Sequence, residues 1–184
     1  MERKHWEVRL SGTGGQGLVT AGIILAEGAG IYDGLEVVQT QVYGPQSRGG
    51  ASRSEVIISD QPVMYPEVTE SDVLLAMSQE AASAYMHEQR PDGIVLLDAT
   101  LVKQAPETQA RVYSIPLTQM ARDVAHTDIV AAIVALGALA TLTGMVSRQG
   151  LEAAVLARAP RGTEDANRRA LHAGFEAGER LRAE

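Results

Sequence analysis

Apolar positions along the chain change their rhythm near residue 116, with short alternating or compact runs before it and helical spacing after it. Residues 7–11, EVRLS, read as a short strand, and Val19, Ile23, Ile24 and Ala26 then recur as on a helix packed against a sheet, over about 17–32. EVVQTQ (36–41) predicts a second strand, followed by a polar connection, VYGPQSRGGAS (42–52), rich in turn residues. RSEVIIS (53–59) and PVMY (62–65), joined through Asp60-Gln61, predict an antiparallel hairpin. SDVLLAM (71–77) and DGIVLLDAT (92–100) are the compact apolar runs of strands buried on both faces, with a helix over about 79–89 between them, and RVYSIP (111–116) predicts one more strand. Beyond Pro116 helices are expected over about 117–125, 128–146, 148–159 and 163–182. Ser147 and Thr163 stand at N-cap positions, and Glu164 and Asp165 follow where the helix dipole favours carboxylates. The pattern predicts an α/β fold: a single Rossmann-like domain over 1–184, with a largely parallel sheet, an antiparallel hairpin and a C-terminal helical block.

Composition narrows what such a domain does. IVAAIVALGALATLTGMV (129–146) is uncharged and long enough to suggest a membrane span. It is nevertheless rich in Ala, Gly and Thr, has Asp128 at its threshold and stands alone, which favours a buried helix whose small residues admit a close helix neighbour, in this chain or another subunit. The chain has no cysteine, so disulfides, thiolate-ligated metal or clusters and a thiol nucleophile are excluded, and a reducing cytoplasm is the expected location. A net charge of −7, with no cluster of Lys and Arg among aromatics, predicts neither nucleic-acid nor membrane-surface binding. The opening MERKHWEVRL has no signal-peptide apolar core and reads as mature sequence.

The sharpest chemical signal is SGTGGQGLVTAG (11–22), where Gly12, Gly14 and Gly17 form G-x-G-x-x-G between a predicted strand and a predicted helix. Glycines there let backbone amides approach an anion and aim a helix N-terminus at it. A dinucleotide reading needs an acidic residue closing the second strand, yet that strand ends Val38, Gln39, Thr40, Gln41, with Glu36 at its start. A P-loop needs Gly-Lys-Ser/Thr where Gln16-Gly17-Leu18 stands. What remains is a phosphate-bearing ligand or a tight turn that packs helix on sheet.

A second loop, YGPQSRGGASRSE (43–55), places Ser47 and Arg48 before Gly49-Gly50 and Arg53 after it. Arginine forks suit phosphate or carboxylate, and paired glycines let such a group reach the backbone; solvated arginines on a surface turn are the plainer reading. Both loops lie in the first part of the chain, and loops at one edge of an open α/β sheet converge on one crevice. His5, His87, His126 and His172 lack metal-ligand spacing, no G-x-S-x-G elbow is present, and Asp98 and Met77-Ser78-Gln79 at strand ends read as capping and packing residues. With no acid/base pair or triad, the chain reads as half of an active site or as a binding module.

In order along the chain, GTGGQGLVTAGIILAEGAG, YGPQSRGGASRSEVIISDQPVMYPEV, DVLLAMSQEA, TDIVAAIVALGALATLTGMVS and Asn167 in EDANRRALHAGFEAG resemble the gamma subunit, or equivalent domain, of the 2-oxoacid:ferredoxin oxidoreductases. YGPQSRGGASRSEV is most similar to the 2-oxoglutarate branch, while family members often carry Asn where Asp128 stands. The resemblance implies a multi-subunit enzyme that converts a 2-oxoacid and coenzyme A into acyl-CoA and CO₂ and passes electrons to ferredoxin. It implies thiamine diphosphate, Mg²⁺ and 4Fe–4S clusters on partner chains: alpha and beta subunits, or alpha, beta and delta. Coenzyme A is the ligand expected on this chain, at Gly12, Thr13, Gly14, Gly15, Gln16 and Gly17 and at Ser47, Arg48, Gly49, Gly50 and Arg53. The readings left beside it are an NAD-binding Rossmann oxidoreductase and a non-catalytic scaffold subunit.

Overall fold

The computed structural model describes residues 5–42 and 51–183. In chain order these form β1 (His5–Gly12), α1 (Leu18–Glu27) closed by a π-helical turn (Gly28–Tyr32), β2 (Glu36–Val42), β3 (Ser52–Ser59), β4 (Ser71–Ala76), α2 (Gln79–Tyr85) with a short turn of helix after it, β5 (Gln89–Asp98) and β6 (Arg111–Ile115). Four helices follow: α3 (Leu117–Ala125), α4 (Ala131–Thr143), α5 (Arg148–Arg158) and α6 (Glu164–Ala183). The strands make a six-stranded sheet in the order β2-β3-β1-β4-β5-β6. β1 with β4, β4 with β5 and β5 with β6 run parallel, whereas β3 is antiparallel to both of its neighbours, β1 and β2.

The alternation of side chains decides which helix covers which face. Val8 and Leu10 of β1, Val56 and Ile58 of β3 and Val73 and Leu75 of β4 point to one face, where α1, α3, α4, α5 and α6 bury the main core. Leu74, Ala76, Val95 and Leu97 point to the other, where Ala81, Ala82, Tyr85 and Met86 cover them. β4 therefore carries six consecutive buried residues, as its unbroken apolar run predicts for a strand covered on both sides.

The predicted hairpin is corrected in its partner. Residues 62–65 form no strand, and Met64 is 89 % exposed. Both edges of β3 are already hydrogen-bonded, by β1 from His5↔Ser59 to Gly12↔Ser52 and by β2 from Glu36↔Ser59 to Val42↔Arg53, so no ladder is left for a further strand. The antiparallel hairpin is β2–β3.

The uncharged segment is α4, buried from Ala131 through Thr141, and among the described residues no helix is long and apolar enough to cross a membrane. Its small residues serve a neighbour within the chain. Gly137 of α4 faces Gly174 of α6 so closely that a methyl built on Gly174 would run into the Val134 carbonyl oxygen, and one on Gly137 would lie 2.9 Å from Phe175 N. α4 starts at Ala131 rather than 128 because Asp128 and Thr127 are engaged in the preceding turn, where the Asp128 carbonyl accepts from Ala131 N and Thr127 Oγ1 accepts from Ile129 N. Ser147 caps α5 as expected, its hydroxyl accepting from Gly150 N at 2.9 Å. Thr163 stands at the start of α6, but its hydroxyl donates to the Pro160 carbonyl at 2.7 Å and accepts from the Asn167 side-chain amide.

Candidate functional site

β1 and β4 are adjacent and parallel, yet α1 leaves β1 for one face of the sheet and α2 leaves β4 for the other. Helices that part in this way open a crevice at the C-terminal ends of the two strands, where ligands of open α/β sheets bind. The glycine loop forms one wall of that crevice. Gly15 and Gly17 take φ values of 87° and 74°, the left-handed region that a side chain disfavours, and these turns bring the chain from β1 into α1. A Cβ on Gly14 or Gly15 would meet nothing within 4 Å among the described residues, so no described residue covers this stretch of backbone. The first hydrogen bond of α1 runs from Ala21 N to Gly17 O, which leaves the amides of the first turn directed out of the helix end.

Gln16 braces the loop. Its Oε1 accepts from Thr13 N at 2.8 Å and its Nε2 donates to the Met77 carbonyl at 2.8 Å, so one side chain ties the loop after β1 to the end of β4 across the crevice. Gly12 makes room for it: a methyl there would collide with Gln16 Oε1 and lie 2.8 Å from Leu18 Cδ1. Beyond Met77, Ser78 caps α2 by accepting from Ala81 N at 3.1 Å. Asp98, fully buried, holds the start of α3 by accepting from Thr118 N and, at 2.5 Å, from Thr118 Oγ1, so it is a capping residue as its strand-end position implied.

The second loop opens on the same edge. Gly12 lies opposite Ser52 and Ser11 opposite Arg53 in the β1–β3 ladder, so Arg53 stands beside the strand that carries the glycine loop. Ser47, Arg48, Gly49 and Gly50 lie outside the described residues. The ladder also bears on the dinucleotide reading: β3 stands between β1 and β2, so the neighbour of the glycine loop is Ser52-Arg53 rather than a second-strand acid. Gln39, in the middle of β2, is itself spent on Ser54 Oγ at 3.0 Å.

On the α4 side of the loop is a cavity of about 500 Å³ whose walls include Gly17, Thr20, Ile133, Val155, Arg158 and Asn167. The N-termini of α1, α4 and α6 all border it, which makes its electrostatics favourable to negative charge although its walls are mostly apolar. Asn167, only 9 % exposed, uses its amide NH₂ on Thr163 O at 3.0 Å and Thr163 Oγ1 at 3.1 Å. Arg158 is bound to Glu27 of α1, through Nε at 2.9 Å and through Nη2 as well, and this hydrogen bonding holds the Glu27 carboxyl below its usual range. A comparable pair, Arg122 with Asp128, sits just before α4 and lowers the Asp128 carboxyl in the same way.

Sequence patterning missed Arg9, Glu55 and Tyr85, which lie on the α2 face of the sheet. Arg9 and Glu55 are mid-strand charges, and in an alternating strand such positions read as solvent-facing. Here they are directly paired in the β1–β3 ladder, and both are buried. The usable signal was their matching charge at positions that become cross-strand partners.

Comparison with known proteins gives a consistent picture. The family model described as pyruvate ferredoxin/flavodoxin oxidoreductase matches residues 7–177. The 2-oxoglutarate synthase subunit KorC of Methanocaldococcus jannaschii is 46 % identical over 177 residues, covering 95 % of both chains. The crystal structure of a keto/oxoacid ferredoxin oxidoreductase gamma subunit from Geobacter sulfurreducens superposes with a TM-score of 0.89 at 46 % identity, covering 97 % of this chain and 98 % of that one. The 2-oxoglutarate:ferredoxin oxidoreductase of Magnetococcus marinus, described with 2-oxoglutarate, coenzyme A and succinyl-CoA bound, shares the fold at a TM-score of 0.84 and 23 % identity, over 98 % of this chain and 32 % of that one.

Proposed function

The chain belongs to the pyruvate ferredoxin/flavodoxin oxidoreductase family as a gamma-type subunit, and on that premise we propose that it serves a 2-oxoglutarate:ferredoxin oxidoreductase and receives part of coenzyme A at the glycine-lined edge of its sheet. The substrate is supported by full-length relatives named as 2-oxoglutarate synthase subunits, at 46 % and 42 % identity. Such an enzyme joins a 2-oxoacid to coenzyme A, releases CO₂ and reduces ferredoxin. Thiamine diphosphate, with its Mg²⁺, supplies the carbanion chemistry of decarboxylation. A chain with no cysteine leaves thiolate-held 4Fe–4S clusters to its alpha and beta partners, with or without a delta chain.

The observation that carries the coenzyme A reading is the shared edge: the open glycine backbone and the α1 N-terminus stand beside Arg53 in the β1–β3 ladder. Coenzyme A presents phosphates, which suit backbone amides and arginine forks, and an amide-bearing aliphatic arm, which suits a mostly apolar cavity such as the one bordering Gly17. In this assignment Gly14, Gly15 and Gly17 let phosphate approach, Thr13 and Gln16 hold the loop's shape, and Ser47, Arg48, Gly49, Gly50 and Arg53 complete the anion site. Replacing Arg48 with Ala in the assembled complex should raise the KM for coenzyme A about fivefold, the scale of one net hydrogen bond. The KM for 2-oxoglutarate should stay unchanged, and steady-state kinetics varying each substrate in turn is the check. Equal shifts in both, or no shift in either, would count against the assignment.

A further inference from the structure

Two arginines lie over one buried tyrosine ring on the α2 face of the sheet. Arg9 has its guanidinium carbon 5.1 Å from the centroid of Tyr85, and Arg53 has its own at 5.7 Å. Their surroundings differ sharply. Arg9 is 1 % exposed and each of its guanidinium nitrogens has a partner: Nε donates to Glu55 Oε1 at 2.8 Å, Nη1 to Glu88 at 2.5 Å and Nη2 to the Val68 carbonyl at 2.9 Å. That is how a buried guanidinium must be treated, because each unmet donor carries its desolvation cost. Arg53 has a side chain only 26 % exposed, yet among the described residues none of its donors makes a hydrogen bond. Its buried Nε approaches Glu55 Oε1 only to 3.5 Å, as an ion pair without hydrogen-bond geometry.

A mostly buried arginine whose Nε, among the described residues, has no hydrogen-bond acceptor is expensive unless something else accepts from its fork. The Arg53 backbone pairs with Ser11, next to Gly12, at the same sheet edge as the glycine loop. We propose that Tyr85 and Glu55 are positioning residues that hold the Arg53 guanidinium at this edge, with its terminal fork presented to an anionic phosphate group of the bound ligand. The ring supplies a flat support for the cation, and the Glu55 carboxylate, fixed in turn by Arg9, sets the side from which Nε is held. Tyr85 acts here as a surface rather than through its hydroxyl, which is buried and has no hydrogen-bond partner among the described residues. Arg9 completes the device by locking Glu55 and does not itself reach the ligand.

The inference rests on the coenzyme A reading above, and the test separates the two. In the assembled complex, kcat and both KM values are measured for Arg53→Ala, Tyr85→Leu, Tyr85→Phe, Glu55→Gln and the Arg53→Ala/Tyr85→Leu double variant. Arg53→Ala and Tyr85→Leu should each raise the KM for coenzyme A by about five- to tenfold, with kcat and the KM for 2-oxoglutarate within about twofold of the parent enzyme. The double variant should be no worse than either single one, since both changes remove the same oriented fork. Tyr85→Phe should match the parent enzyme, which a role for the hydroxyl would not allow. If Tyr85→Leu fails to assemble, Glu55→Gln, which keeps the shape and removes the charge, carries the same expectation. A raised KM in Arg53→Ala that neither Tyr85→Leu nor Glu55→Gln reproduces, or effects that multiply in the double variant, overturns the positioning role while leaving the coenzyme A reading intact. An unchanged KM in Arg53→Ala beside a raised one in Arg48→Ala overturns the Arg53 assignment alone, and no change in either removes the coenzyme A reading itself.

Discussion

Replacing Gly174 with alanine should lower stability by about 3 kcal/mol, at the upper end of the usual cost of forcing extra volume into a packed interior. The reason is backbone-to-backbone contact. α4 and α6 cross where Gly137, Gly174 and Gly178 remove side chains from the interface; the Gly137 and Gly174 Cα atoms face each other, and a methyl on Gly178 would lie 2.8 Å from the Ala138 carbonyl. No flexible side chain stands at the Gly174 collision, because the obstructing atom is the Val134 carbonyl oxygen. Relief would require the helices to separate, which loosens Leu136, Leu139, Leu171 and Phe175 in the main core. For a chain of this size that loss corresponds to a fall of roughly 6–12 °C in melting temperature, measurable by scanning calorimetry. A change of under about 2 °C would mean that α6 is free to slide on α4.

Replacing Gly12 with alanine should raise the KM for coenzyme A at least about tenfold, since it disturbs several backbone donors at once and not one side-chain contact. The new methyl would occupy the place of Gln16 Oε1. Displacing that amide breaks the bonds to Thr13 N and to the Met77 carbonyl, which hold the loop across the crevice between β1 and β4. Gln16→Ala removes the same brace without the collision and should shift the KM in the same direction. A Gly12→Ala enzyme with normal coenzyme A kinetics and a lowered melting temperature would assign the glycine to packing alone.

The elements were legible in the sequence wherever a local pattern decides them. The apolar run of β4 from Val73, the helix-spaced residues of α1 and the Ser147 cap are each fixed by neighbours a few positions away. Strand order was not legible. The insertion of β3 between β1 and β2 pairs β1 with residues forty or more positions away, and nothing in the alternation of PVMY shows that the edge it would need is already occupied. In the candidate site the glycine turn was visible because its chemistry is contiguous. The brace from Gln16 to Met77 and the group of Arg9, Glu55, Tyr85 and Arg53 were not, because each joins distant strands and helices. Mid-strand charge normally marks a solvent-facing position, and burial of Arg9 follows from tertiary partners that no local window contains.

The most direct test of the central claim is amide hydrogen exchange on the assembled complex with and without saturating coenzyme A. Coenzyme A bound at the glycine-lined edge should slow exchange in the peptides that carry Thr13–Thr20 and Arg53, with the outer face of α6 unchanged. Exchange left unaltered at the glycine loop, with coenzyme A protecting only the partner chains, would contradict it.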